Sequence, residues 1–122
     1  GIAEALRAGR RGVIVDFDHN GPGSTCSRLL MLGAPKAALA DQSRFRYVEP
    51  EDAEQLRHIV AALVAWGPAV VVIDSIGELL PLLGLSSNQP DDFTVAHTRV
   101  LKPLAHTGAV VIAGIFLAES AR

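Results

Sequence analysis

A single cysteine, Cys26, stands in 122 residues. One thiol cannot build an internal disulfide framework, and such sparing use suits a reducing, cytoplasmic compartment. No lysine lies between Gly1 and Pro35. The glycine-rich stretch NGPGSTCS (20–27) therefore fails as a phosphate-binding loop, whose pattern G-x-x-x-x-G-K-[ST] needs a lysine to reach the terminal phosphates. A turn and a helix N-cap account for it, with N–H groups that offer at most a weak anion site. The longest apolar run, Ala109 to Ala118, is shorter than the roughly 20 residues that span a bilayer. No basic-then-apolar signal segment opens the chain. Charge of one sign is also missing: the formal net charge is -2 at pH 7. That excludes a surface given over wholly to nucleic acid but leaves room for a local basic patch. His19, His58, His97 and His106 are scattered without metal-ligand spacing.

What the sequence does have is core material. Hydrophobic residues make up 49% and charged residues 20%, enough for one packed domain, read as a single unit over 1–122. The first residue is Gly1, in the middle of a helical pattern, which reads as an excised or incomplete chain.

The segment IAEALRA (2–8) has helix-forming composition and stops at Gly9. GVIVDFD (12–18) is a β-branched apolar run ending in acids, as a buried strand with a solvated carboxyl end would be. STCSRLLML (24–32) reads as a helix and SRFRYVEP (43–50) as a strand, with Phe45 and Tyr47 on one face and Arg44, Arg46 and Val48 on the other. Pro50, Glu51, Asp52 and Glu54 open a helix whose stripe is Leu56, Ile59, Val60, Leu63 and Val64. AVVVID (69–74) is the clearest buried strand. A loop over 83–92 leads to a helix carrying Phe93, Ala96, Val100, Leu101 and Leu104, which Pro103 kinks or ends. GAVVIAGIFLA (108–118) is the last strand. Trp66 and Phe93 read as core, not as base-stacking platforms, and Cys26 as a small, partly buried side chain. Alternation of helices with fully apolar strands predicts an α/β fold: a mostly parallel sheet flanked by helices on both faces, with its ligands at the strands' carboxyl ends.

The acids fall where such a sheet places ligands. Asp74 closes VVVID ahead of Ser75, the position for a carboxylate that holds magnesium through water, or for a helix cap. Glu78 is a looser candidate. Asp16 and Asp18 bracket Phe17, and residues i and i+2 of a strand point the same way, so the two carboxylates would share a site. Proximity would raise the pKa of one and suit it to activating water, unless both are simply solvated acids at a strand end.

In order, AEALRAGRRGVIVDFD, SRLLMLGAP, RFRYVEPED, VVVIDSIGELL and LKPLAHTGAVVIAG resemble the RecA-like AAA-family P-loop ATPases of primase–helicase and replication-associated proteins. The resemblance spans nearly the whole chain. It implies a partial RecA-like core whose phosphate loop lies just upstream of Gly1, with ATP and Mg2+ as cofactors. Asp74 falls on the magnesium-associated Walker B acid, beside Ser75, and Asp18 on the acid that orients the attacking water, usually a glutamate. Ile115 and Phe116 occupy the place of a polar sensor of the terminal phosphate. The same resemblance implies DNA as a partner through the parent protein, a homo-oligomeric ring, no membrane, and no turnover without the loop. Two other enzyme schemes fail on order. A haloacid-dehalogenase-type phosphohydrolase would use Asp16 as nucleophile and Asp18 as acid/base, but lacks the later acidic pair. A receiver domain would place Lys102–Pro103 after its last strand rather than before one. The remaining alternative is a degenerate, non-catalytic α/β module that binds partners or nucleotide weakly.

Overall fold

A computed structural model describes residues 1–86 and 88–114. The last part of the strand expected over 108–118, with Ile115 and Phe116, lies outside the described residues. Four strands form one sheet: β1 (Gly12–Asp16), β2 (Phe45–Val48), β3 (Val70–Asp74) and β4 (Val110–Gly114). Their order is β2-β1-β3-β4, and every pairing is parallel. β1 and β3 are central and run in register from Gly12 beside Val70 to Asp16 beside Asp74.

The period-2 alternation of the strands divides the core between the two faces. Val13, Val15, Val71 and Ile73 pack on one side. There they meet Leu56, Val60 and Leu63 of α4 (Ala53–Trp66), Leu79 and Leu80 of α5 (Ile76–Leu82), and Ala96, Val100 and Leu104 of the last helical run. Ile14, Phe45 and Val70 face the other way. They are covered by Ile2, Ala3, Ala5 and Leu6 of α1 (Ile2–Arg7), Leu29 of α2 (Pro22–Met31) and Ala38 of α3 (Lys36–Leu39). The expected α/β class with a parallel sheet between helices is therefore observed, and so is the split of Phe45 and Tyr47 from Val48.

The helix α4 illustrates how sequence sets an element. Asp52 caps it, its carboxylate accepting the Gln55 N–H at 2.7 Å, and Gly67 closes it at φ 75°, where a side chain would be strained. Leu56, Val60 and Leu63 are buried as the stripe requires, whereas Val64 lies 40% exposed at its margin.

Three expectations are corrected. β1 ends at Asp16, two residues early, because the N–H groups of Phe17 and Asp18 both turn to the Asp74 carbonyl, at 2.6 and 3.3 Å. The helix after the 83–92 loop continues through Pro103. It runs as α6 (Pro90–Ala96), a π-helical turn (His97–Leu101) and α7 (Lys102–Ala105). The widened turn just before Pro103 accommodates a residue that has no N–H to give to an α-helical ladder. Phe93 is not core: it is 38% exposed, because this short helix buries Ala96 instead.

Candidate active site

In a parallel sheet, the chain's path leaves a crevice where neighbouring connections depart in opposite directions, outside the strands' carboxyl ends. Here that point lies between β1 and β3, since β1 connects to β2 on one side and β3 lies on the other. Asp16 and Asp74 end these two strands at paired positions, and Asp18 follows in the turn after β1. The three acids singled out by sequence thus come to one place, in three different environments.

Asp16 is fully buried. Its Oδ1 accepts the Asp18 N–H at 3.0 Å and the Asn20 side-chain amide at 3.2 Å. Its Oδ2 accepts the Asn20 N–H at 2.8 Å and the Tyr47 hydroxyl at 2.5 Å. Both oxygens are occupied by the protein, so this carboxylate organises the turn over 17–21 instead of facing a substrate. The i, i+2 geometry expected for Asp16 and Asp18 does not form, because the strand has already ended. Asp18 is exposed and accepts the Ser75 hydroxyl at 3.1 Å.

Asp74 is half-buried, and its carboxyl is held above the usual carboxylate range. Burial is the main cause, followed by the negative charges of Asp18 and Asp16 and a side-chain hydrogen bond with Asp18. The Arg28 guanidinium, from α2, works in the opposite direction. Asn20 reaches Asp74 Oδ2 at 3.5 Å. Ser75 is itself buried. Asp74 and Asp18 are therefore a crowded pair of like charges, with a hydroxyl and an amide alongside.

Sequence reasoning misses a second layer. The Tyr47 hydroxyl lies 2.5 Å from both Asp16 Oδ2 and Glu49 Oε2, and it accepts the Gly21 N–H at 3.1 Å. Glu49 also accepts that N–H, at 3.0 Å. His19, at φ 55°, donates from Nε2 to the Pro50 carbonyl at 2.9 Å, a bond that raises its pKa, with Glu49, Asp16 and Glu51 adding smaller upward effects against burial. The alternation of β2 puts Tyr47 on its apolar face. Nothing in sequence marks its hydroxyl as the link between two acids 31 and 2 residues away.

Burial, then the hydrogen bonds to Asp16 and Glu49, push the Tyr47 phenol far above its ordinary value of 10.0. A phenol with a raised folded-state pKa adds stability that is fully present below that ordinary value and is lost as pH rises beyond it. Tyr47 is the only tyrosine. In an alkaline titration the tyrosinate absorbance band is expected to appear only together with loss of the circular-dichroism signal. Ionisation in a still-folded chain would show the link to be loose.

Among the described residues, no group of three or more His, Cys, Asp or Glu side chains is placed to hold a metal ion. The donor set that does exist, two carboxylates beside a hydroxyl, suits magnesium, which keeps several waters and takes only one or two carboxylates from protein. Asp16 cannot serve as the nucleophile of a phosphohydrolase, since it is buried and its oxygens are engaged. Among the described residues, no helix is long and apolar enough to cross a membrane. The fold and site define the class: a parallel α/β protein with three acids gathered at the switch point of its sheet. No known family model matches the chain, and no curated protein is similar to it.

Proposed function

We propose that this chain supplies the acidic half of an ATP·Mg2+ site in a RecA-like P-loop ATPase of the replication-associated kind. The observation that carries this reading is the convergence of Asp74, Asp18 and Asp16 at the switch point, with the Ser75 hydroxyl on Asp18 at 3.1 Å and the Asn20 amide between Asp16 and Asp74. Burial first, then the charges of Asp18 and Asp16, hold the Asp74 carboxyl above its usual range. A site that stores negative charge against its own interest is relieved by a divalent cation. Magnesium would supply charge neutralisation at the nucleotide phosphates. Asp74 would hold the ion, with Ser75 beside it, and Asp18 would orient the attacking water. Asp16 is a positioning residue that fixes the Asp18 backbone. Arg28 lies near enough to influence Asp74 and would be placed to meet a nucleotide phosphate there.

The phosphate loop belongs to an upstream segment in this reading. Among the described residues β4 pairs only with β3, which leaves its other edge open to a further strand. Turnover would drive motion on DNA, with the chain working in a homo-oligomeric ring. The test is Mg2+-dependent ATP hydrolysis by the longer polypeptide carrying that loop, wild type beside Asp18→Ala and Asp74→Ala, with nucleotide binding measured in parallel. Turnover that falls to background in both variants is the expected result. A parent chain that binds nucleotide but hydrolyses it equally well without these acids would refute the catalytic roles.

One observation favours a non-catalytic nucleotide-binding module instead. Asp18, an aspartate where the family has the longer glutamate, is tied to the Ser75 hydroxyl. That reading predicts binding without turnover in the wild type.

A further inference from the structure

Five arginines gather at the opposite end of the sheet from the acids. Arg7 ends α1, Arg10 and Arg11 lead into β1, Arg44 leads into β2, and Arg46 sits on β2. The amino ends of the strands lie side by side. The Gly12 N–H donates to the Arg44 carbonyl at 2.8 Å, and the Ala69 N–H, just before β3, donates to the Arg11 carbonyl at 2.8 Å.

These side chains are held without acids. The ion pairs among the described residues join Gly1, Arg57 and His58 to Glu4 and Glu54, and none involves the five. Asp41, three residues before Arg44, feels its charge, but its carboxylate is taken by the N–H and hydroxyl of Ser43 at 2.9 and 2.7 Å. Four of the guanidinium groups are oriented by backbone carbonyls. Arg7 donates to Leu32, Arg11 to Trp66, Arg44 to Leu6 and Arg46 to Gln42, at 2.9, 2.5, 2.7 and 3.2 Å. Each bond uses one of the five N–H donors of a guanidinium. The rest stay available on groups that have already given up most of their rotamer freedom. Arg46 also lies over the Trp66 ring, 4.4 Å from its centroid, with Arg11 at 5.8 Å.

We propose that this amino-end face binds the phosphate backbone of a nucleic acid. Arginine forks match phosphate oxygens in pairs, which a diffuse attraction to anionic lipid does not require. The feet of β1 and β2, which carry four of the five arginines, are neighbours in the sheet, about 4.8 Å apart. The guanidinium stacked on Trp66 adds a planar surface of the kind on which bases rest. This face is separate from the nucleotide site and uses neither the acids nor the loop upstream.

The experiment is fluorescence anisotropy of a labelled single-stranded oligonucleotide with the full chain, over a series of salt concentrations, with circular dichroism to confirm folding. Arg7→Gln, Arg10→Gln and Arg46→Gln combined are expected to weaken binding at least about tenfold at low salt. The salt slope should fall by about 0.7 for each phosphate that the variant no longer neutralises. Arg57→Gln on α4 should leave binding unchanged. Absence of binding at low salt, or equal weakening in Arg57→Gln, overturns the proposal. So does tighter binding to phosphatidylserine vesicles that depends on Met31 and Leu32, which are 86% and 66% exposed beside Arg7.

Discussion

Replacing Asp16 with alanine is expected to cost about 3 kcal/mol or more of unfolding free energy. The carboxylate is fully buried and satisfies four donors: the N–H groups of Asp18 and Asn20, the Asn20 side-chain amide and the Tyr47 hydroxyl. Alanine leaves those donors without their common acceptor. Asparagine has nearly the same shape but does not restore them. Each carboxylate oxygen accepts two hydrogen bonds, so either orientation of the amide puts an NH2 group against a backbone N–H. The asparagine variant should therefore fall between wild type and alanine in urea denaturation. A cost below about 1 kcal/mol for alanine would mean that the turn over 17–21 keeps its shape unaided, and Asp16 would then have no positioning role.

That Asp16 carries structure while Asp18 and Asp74 carry the charge available to a ligand was only half legible in the sequence. The run VVVID announces a buried strand with an acid at its solvent end, because β-branched residues without alternation fit only a sheet covered on both faces. The amphipathic stripe of α4 and the cap at Asp52 were equally plain. The role of each acid was not. A two-residue period places Asp16 and Asp18 together only if the strand continues, and its end is set by the Asp74 carbonyl, 56 residues from Asp18 and 57 from Phe17 in sequence. The Tyr47 hydroxyl reaches Asp16 only because β2 pairs with β1 in the register that sets Gly12 beside Phe45. Local pattern encodes which face a residue takes; partners across strands depend on register, which no single segment contains. Phe93 departs from its expected place for a related reason. The apolar spacing around it fits a helix, but a short helix resting on Ala96 and followed by a π turn leaves that ring at the surface.

The second large effect separates stability from activity at Asp74. Its carboxyl is held above the ordinary value of 3.8 by burial and by the charges of Asp18 and Asp16. A carboxyl with a raised folded-state pKa contributes stability that is fully present below its unfolded value and is lost as pH rises through the folded one. At neutral pH the ionised side chain therefore works against the fold. Asp74→Asn keeps the neutral form at every pH, so the variant should melt at a higher temperature than wild type at neutral pH, and the gap should close as the buffer is made acidic. In the nucleotide site proposed above, the same change removes the charge that holds magnesium, and turnover by the loop-bearing parent should fall by at least about a hundredfold. Added Mg2+ should raise the melting temperature of the wild-type chain and leave Asp74→Asn where it was, because only the wild type keeps the charge that the ion relieves. A functional acid retained at a cost in stability is the usual mark of a site shaped by its ligand. Should Asp74→Asn instead destabilise the chain at neutral pH, the crowding of Asp74 would be compensated within the fold, and the charge argument for a cation at this crevice would fall.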